Sequence, residues 1–193
     1  AATHGCIVQI GFVERYNGVM ATLYKEVTVP ILIECQRMGP FSPRVQNESV
    51  ILDLMIHDID CVLSLVKSRV HHLSAHGHRI HSARCDVASA HVVFENGTIA
   101  HFTASRVSRH KIRSMRVHQA QADLVADFSN QTVHVTKQST TTGLIEEKIF
   151  DTKTSNQLKD QLLNFVAAIT TTISRPSEHD LEVLALAIAI QDA

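Results

Sequence analysis

At 193 residues the chain is little longer than one domain of ~150 residues, so 1–193 reads as a single domain. Apolar residues make up 45% and charged residues 19%, with a mean hydropathy of +0.04, which excludes the disordered and fibrous classes. Lys and Arg number 18 against 19 Asp and Glu, a net charge of −1, and no basic cluster can follow a run of phosphates, so nucleic acid is not an expected partner.

The longest apolar runs, Ile31-Leu32-Ile33 and Val183 to Ile190, fall far short of the ~20 residues that span a bilayer, so no membrane partner is expected either. Ala1 to Gly5 lack a charged region followed by an apolar one; no signal peptide and a cytoplasmic location are therefore expected. Cys6, Cys35, Cys61 and Cys85 form no CxxC pair and read as reduced, buried thiols.

Cys6 to Val13 is rich in β-formers and predicts a buried strand. Asn17 then caps a helix whose Val19, Met20, Leu23, Tyr24 and Val27 form one apolar stripe. A strand through Ile31 to Cys35 follows, and Gly39-Pro40 with Ser42-Pro43 marks a loop. From Val50 to Val66 a helix is apolar apart from Asp53, His57, Asp58, Asp60 and Ser64. At ~100° per residue, His57, Asp60 and Ser64 fall within roughly 40° of Asp53, while Asp58 points elsewhere.

Val70 to Ile80 reads as a strand and Val87 to Val107 as a hairpin turning at Glu95-Asn96-Gly97-Thr98. A two-residue loop would set Phe94 opposite Ile99 and Val92 opposite His101. Further strands are expected at Ile112 to His118, at Leu124 to Phe128 paired with Val133 to Thr136, and at Leu144 to Phe150. Thr154-Ser155-Asn156-Gln157 has capping-box spacing before a helix striped by Leu158, Leu162, Phe165, Val166 and Ile169. Ser177 to Asp180 starts a last helix carrying Leu181, Leu184, Ala185 and Ile188. The fold class is α+β: an open, mainly antiparallel sheet with helices packed on one face.

Asp53 and His57, four residues apart on one helix, can bring a carboxylate within reach of an imidazole, fixing its tautomer and favouring its protonated form; the same spacing also suits a polar stripe satisfied inside a core. Glu14-Arg15-Tyr16-Asn17 lies at a strand-to-helix junction, where it could bind a polar ligand or serve as a cap beside an ion pair. Among the 13 histidines, His76 and His78 share a strand face, but no HExxH or Cys pair completes a metal site, and none is expected. GxSxG, GxxxxGK[ST] and GxGxxG are all absent.

Taken together, Gly11-Phe12-Val13-Glu14-Arg15-Tyr16-Asn17, Pro40-Phe41-Ser42-Pro43-Arg44 and Leu52-Asp53-Leu54-Met55-Ile56-His57-Asp58-Ile59-Asp60 resemble the C-terminal part of the Gfo/Idh/MocA oxidoreductases, and within them the bacterial sugar-nucleotide dehydrogenases. Phe94 to Gly97 with Thr103 to Arg106, and the closing helices, extend the likeness over nearly the whole chain. The resemblance implies the substrate-binding and oligomerisation half of an enzyme that oxidises a hydroxyl of a sugar, sugar nucleotide or inositol, with NAD or NADP bound mainly by a missing N-terminal Rossmann domain. It implies catalytic roles for His57, as proton-transfer group, and Asp53, as its orienting or relay carboxylate, with Arg15, Tyr16 and Asn17 lining the substrate cleft. Which residues here would touch the cofactor is left open. The chain alone is then expected to be inactive, and a homodimer or homotetramer is expected through the sheet. The alternative is a non-catalytic assembly or binding domain.

Overall fold

The structure, a computed structural model, describes residue 4 and residues 7–139, 141–153, 156–171 and 178–193. Apolar side chains at every second position build its sheet: Ile33 and Cys35 in β1 (Pro30–Met38), Ala90 and Val92 in β3 (Val87–Phe94), Ala100 and Phe102 in β4 (Ile99–Ser105), Met115 and Val117 in β5 (Ile112–Gln119) all point inward. With β2 (Val70–His78), β6 (Ala122–Asp127), β7 (Thr132–Gln138) and β8 (Ile145–Asp151) they form one sheet in the order β2-β3-β4-β1-β5-β6-β7-β8. Neighbours run antiparallel except β1 and β4, which are parallel.

One face of this sheet is covered. Asn17 accepts from the Val19 N–H and starts α1 (Gly18–Glu26), whose Val19, Met20 and Leu23 are buried. The next helix opens with a π-helical turn, Ile51–Met55, in which the Ile56 N–H reaches back to the Ile51 carbonyl, and continues as α2 (Ile56–Val66). Lys67, in the left-handed region at φ 49°, ends it. Helices α3 (Gln157–Thr171) and α4 (Glu178–Asp192) follow the sheet. No helix among the described residues is long and apolar enough to cross a membrane.

Three expectations from the sequence need correction. Residues 7–12 form no strand, and Val13–Tyr16 forms a single 3₁₀ turn; β-propensity is realised on a pleated surface, and the sheet of the described residues does not include this segment. The hairpin between β3 and β4 has a three-residue loop with Gly97 at φ 87°, so Val93 faces Ile99, Val92 faces Ala100 and His91 faces His101. Finally, the apolar stripes on the last two helices face outward. Leu162 and Val166 of α3 are 55% and 58% exposed, and on α4 the buried residues are Val183, Leu186, Ala187 and Ile190 while Leu181, Leu184, Ala185 and Ile188 are exposed. Periodicity shows that a helix has an apolar face, not which neighbour covers it.

Cys35 and Cys61 are buried free thiols and Cys85 is half-buried, while Cys6 lies outside the described residues. Thr154, Ser155 and Ser177 also lie outside them; within them, Asn156 accepts from the Lys159 N–H. In urea titrations, Phe102→Ala is expected to cost ~3–5 kcal/mol of stability, whereas Leu162→Glu changes it by no more than ~0.5 kcal/mol; comparable losses would put the α3 stripe in a core.

Candidate active site

The inward alternation of β1 continues past Ile33 and Cys35 to Arg37, which places a guanidinium on the core face of a central strand. Its side chain is only 3% exposed, and each of its three nitrogens donates to a carboxylate. Nη1 donates to Glu14 at 2.9 Å, and Nε and Nη2 donate to one Asp58 oxygen at 3.0 and 2.8 Å. Burial alone would lower the Arg37 pKa, but the two carboxylates outweigh it and raise it, so the guanidinium stays charged. Glu14 is held in turn by the Asn17 amide at 3.0 Å. One buried cation thus joins the central strand, the entry to α1 and the first turn of α2.

Next to it the register pairs Arg37 with Arg113 of β5, whose Nη1 lies 4.0 Å from Glu14. In front of these groups is a cavity of about 460 Å³ bounded also by Asp53, His57, Arg106 and Phe41. His57 meets the Phe12 ring edge-on, with centroids 6.3 Å apart. Its Nδ1 is buried and has no hydrogen-bond partner among the described residues. Burial, followed by the charge of Arg37, lowers the His57 pKa below 6.5, with Arg113 acting in the same sense and Glu14 and Asp60 against it. The imidazole is therefore neutral near neutral pH and can accept a proton. Burial also raises the Asp53 carboxyl above 3.8, against the charges of Arg106 and Arg44.

The wall opposite is fixed by Asp86. Its carboxylate accepts from the backbone N–H groups of Ile80, His81 and Ser82 at 2.6, 2.7 and 3.0 Å and from Arg106 Nε at 2.6 Å. Burial would raise its pKa, but these donors together hold it well below the usual carboxylate range. Arg106, held this way, lies with its guanidinium carbon 5.7 Å from the Phe41 ring centre.

Asp53 and His57 share this cavity, but among the described residues no hydrogen bond joins them, and the ring is held neutral rather than protonated. The π-helical turn that carries Asp53 departs from the regular winding on which the expected Asp53–His57 contact was based. The rest of the polar stripe diverges. Asp60 is buried, bonded to Arg15 at 2.6 Å and to His179 Nε2 at 2.9 Å. Ser64 donates to the Cys61 carbonyl and lines a larger cavity, about 910 Å³, at the C-terminal end of α2.

Arg15, Tyr16 and Asn17 are not brought to the His57 cavity. Arg15 bridges Asp60 and Asp180, each at 2.6 Å, and borders the larger cavity. Tyr16 Oη donates to Asn164 at 3.1 Å and accepts from Gln9, and Asn17 is the helix cap. Sequence reasoning missed Arg37, Asp58, Asp86 and Arg106. Parity with Ile33 and Cys35 is the one signal that marks Arg37, and charged residues at a strand end are ordinarily solvated.

No group of three or more His, Cys, Asp or Glu among the described residues could hold a metal ion. Nor do the described glycines form a loop that cradles a dinucleotide pyrophosphate at a helix N-terminus. Gly97 and Gly143, the glycines at positive φ, sit in hairpin turns, and Gly18 at the start of α1 is packed against Thr152, whose carbonyl oxygen would lie 2.7 Å from an added Cβ.

A sequence model described as the GFO/IDH/MocA C-terminal domain matches residues 30–125. The chain belongs to the Gfo/Idh/MocA family, as its C-terminal domain. UDP-N-acetylglucosamine 3-dehydrogenase from Acidithiobacillus ferrooxidans is 34% identical over 130 residues, 67% of this chain and 42% of that protein. A solved structure of that enzyme superimposes with a TM-score of 0.88 at 28% identity, covering 100% of this chain and 64% of the other. Levoglucosan dehydrogenase in complex with NADH (TM-score 0.79, 14% identity, 97% of this chain and 64% of that one) and an oxidoreductase domain protein from Kribbella flavida (TM-score 0.79, 14% identity, 99% and 64%) share the fold. The chain thus spans less than two thirds of the length of these relatives.

The lowered His57 pKa carries a sign. The unfolded chain takes up this proton near 6.5 and the folded chain only at lower pH, so folding stability falls as pH drops below 6.5 through the folded value. His57→Asn is expected to reduce that acid loss, read as the difference in urea midpoint between neutral and mildly acidic buffer. An identical loss in both proteins would show that the ring is not held neutral.

Proposed function

We propose that this domain is the substrate-binding and oligomerisation half of an NAD(P)-dependent dehydrogenase that oxidises a hydroxyl of a sugar, sugar nucleotide or inositol. A single observation carries the reading: a neutral imidazole with an unsatisfied buried nitrogen shares a cavity with a carboxylate, in a domain whose relative oxidises a UDP-sugar by name. NAD or NADP belongs mainly to an N-terminal domain outside this chain, so the present residues position the hydroxyl and move its proton.

His57 accepts that proton from the substrate hydroxyl. Arg37 and Arg113 disfavour the imidazolium that results, so the proton is passed on, and Asp53, on the same cavity, is the relay carboxylate. Arg15, Tyr16 and Asn17 act at one remove. Asn17 holds Glu14 against Arg37, and Arg15 and Tyr16 tie the same turn to α4 and α3 through Asp180 and Asn164. The outward apolar stripe of α3 gives the absent domain a surface to cover. The helix-free face of the sheet is the expected interface of a homodimer or homotetramer.

In the full-length polypeptide, His57→Ala is expected to lower turnover by ~10²–10⁴-fold with little change in melting temperature; normal turnover would remove His57 from the mechanism. Light scattering is expected to give the mass of a dimer or tetramer, and a monomer mass would refute assembly through the sheet.

A further inference from the structure

The cations around the His57 cavity are of two kinds. Arg37 and Arg106 are buried and already neutralised, the first by Glu14 and Asp58, the second by Asp86. Arg44, Lys111 and Arg113 are exposed. Arg44 and Lys111 make no ion pair among the described residues, and the nearest carboxylate to Arg113 is Glu14, at 4.0 Å and already bonded to Arg37. These three come from separate parts of the chain, the 3₁₀ turn Pro43–Val45 and the start of β5, yet they line the same cavity.

A neutral sugar or an inositol gives such a rim nothing to neutralise. Asp53 and Glu14 on the same cavity feel the charges of Arg44 and Arg113, but Glu14 is bonded to Arg37 and Asp53 makes no ion pair among the described residues, and guanidinium groups match phosphate oxygens in paired hydrogen bonds. At about 460 Å³ the cavity is of a size that holds a small ligand. Arg44, Lys111 and Arg113 are exposed and His57 is half-buried, so an anionic group rests outermost with its sugar inward, beside the imidazole.

We infer that Arg44, Lys111 and Arg113 form a pyrophosphate site, and that the substrate is therefore a nucleoside-diphosphate sugar rather than a free sugar or inositol. This rests on the dehydrogenase reading above. A dinucleotide cofactor carries the same pyrophosphate, but these cations share their cavity with the proton acceptor for the sugar hydroxyl, which assigns them to the substrate.

The test is calorimetric titration of the chain with UDP-N-acetylglucosamine, N-acetylglucosamine and NADH. It compares the wild type, Arg44→Gln, the double variant Lys111→Gln/Arg113→Gln and, as a control on the other face of the sheet, Arg116→Gln. UDP-N-acetylglucosamine is expected to bind the wild type and Arg116→Gln equally, to bind more weakly as salt is added, and to lose about tenfold or more in affinity for each cation removed. N-acetylglucosamine should bind no better to the wild type than to the variants. The inference is overturned by unchanged affinity of both Arg44→Gln and the double variant, by a loss for NADH as large as that for the UDP-sugar, or by no UDP-sugar binding to the wild type. Its failure is separable from that of the functional reading: normal turnover in His57→Ala sinks the reading without touching diphosphate binding, and unaltered binding alongside an inactive His57→Ala sinks only the pyrophosphate site.

Discussion

Arg37 is the constraint on which the rest depends. A guanidinium on the core face of a central strand is tolerable only with both carboxylates in place, because a buried charge that loses a partner typically costs ~3–5 kcal/mol. Its two partners lie on the turn before α1 and the first turn of α2, so satisfying one side chain fixes where both helices meet the sheet. The same charge sits close enough to His57 to help keep that ring neutral. Stability and the electrostatics of the cavity therefore have a common source.

The helix that carries the candidate groups serves two environments. Its N-terminal part, wound as a π turn, presents Asp53 and then His57 to the cationic cavity. Further along, Asp60 is consumed by Arg15 and His179, and Ser64 borders a larger, more apolar space. Asp58 points the other way, into Arg37. Each carboxylate on this rod thus has its own neighbourhood, and among the described residues only Asp53 is left without a guanidinium or imidazole bonded to it.

Much of the fold was legible from alternation: Ile33/Cys35, Val92/Phe94, Met115/Val117 and Val133/Val135 each mark an inward face, and every strand from β1 onward was anticipated. Failures arose where a long-range contact decides. The segment ahead of Val13 had strand composition but no ladder to join, the Gly97 turn held one residue more than expected, and the stripes of α3 and α4 had no cover among the described residues. At the site, the Asp53–His57 spacing was visible but not their separation, because nothing in the local sequence announces a π turn. The buried arginines were hidden for a different reason: charge at a strand end reads as solvation until tertiary partners are known.

The position of β1 in the sheet has a consequence for assembly. Strands β2, β3 and β4 form one meander of near neighbours in sequence, and β5 through β8 form another, but the two halves touch only through β1, which is made first and lies between them. The halves can zip up locally, whereas closing the seam requires contacts across some 70 residues or more, the slow kind of event in folding. Because α1 and α2 flank β1 in sequence and are anchored to it through Arg37, the His57 cavity comes into being at the moment the seam closes, so a half-folded chain has no means of displaying it.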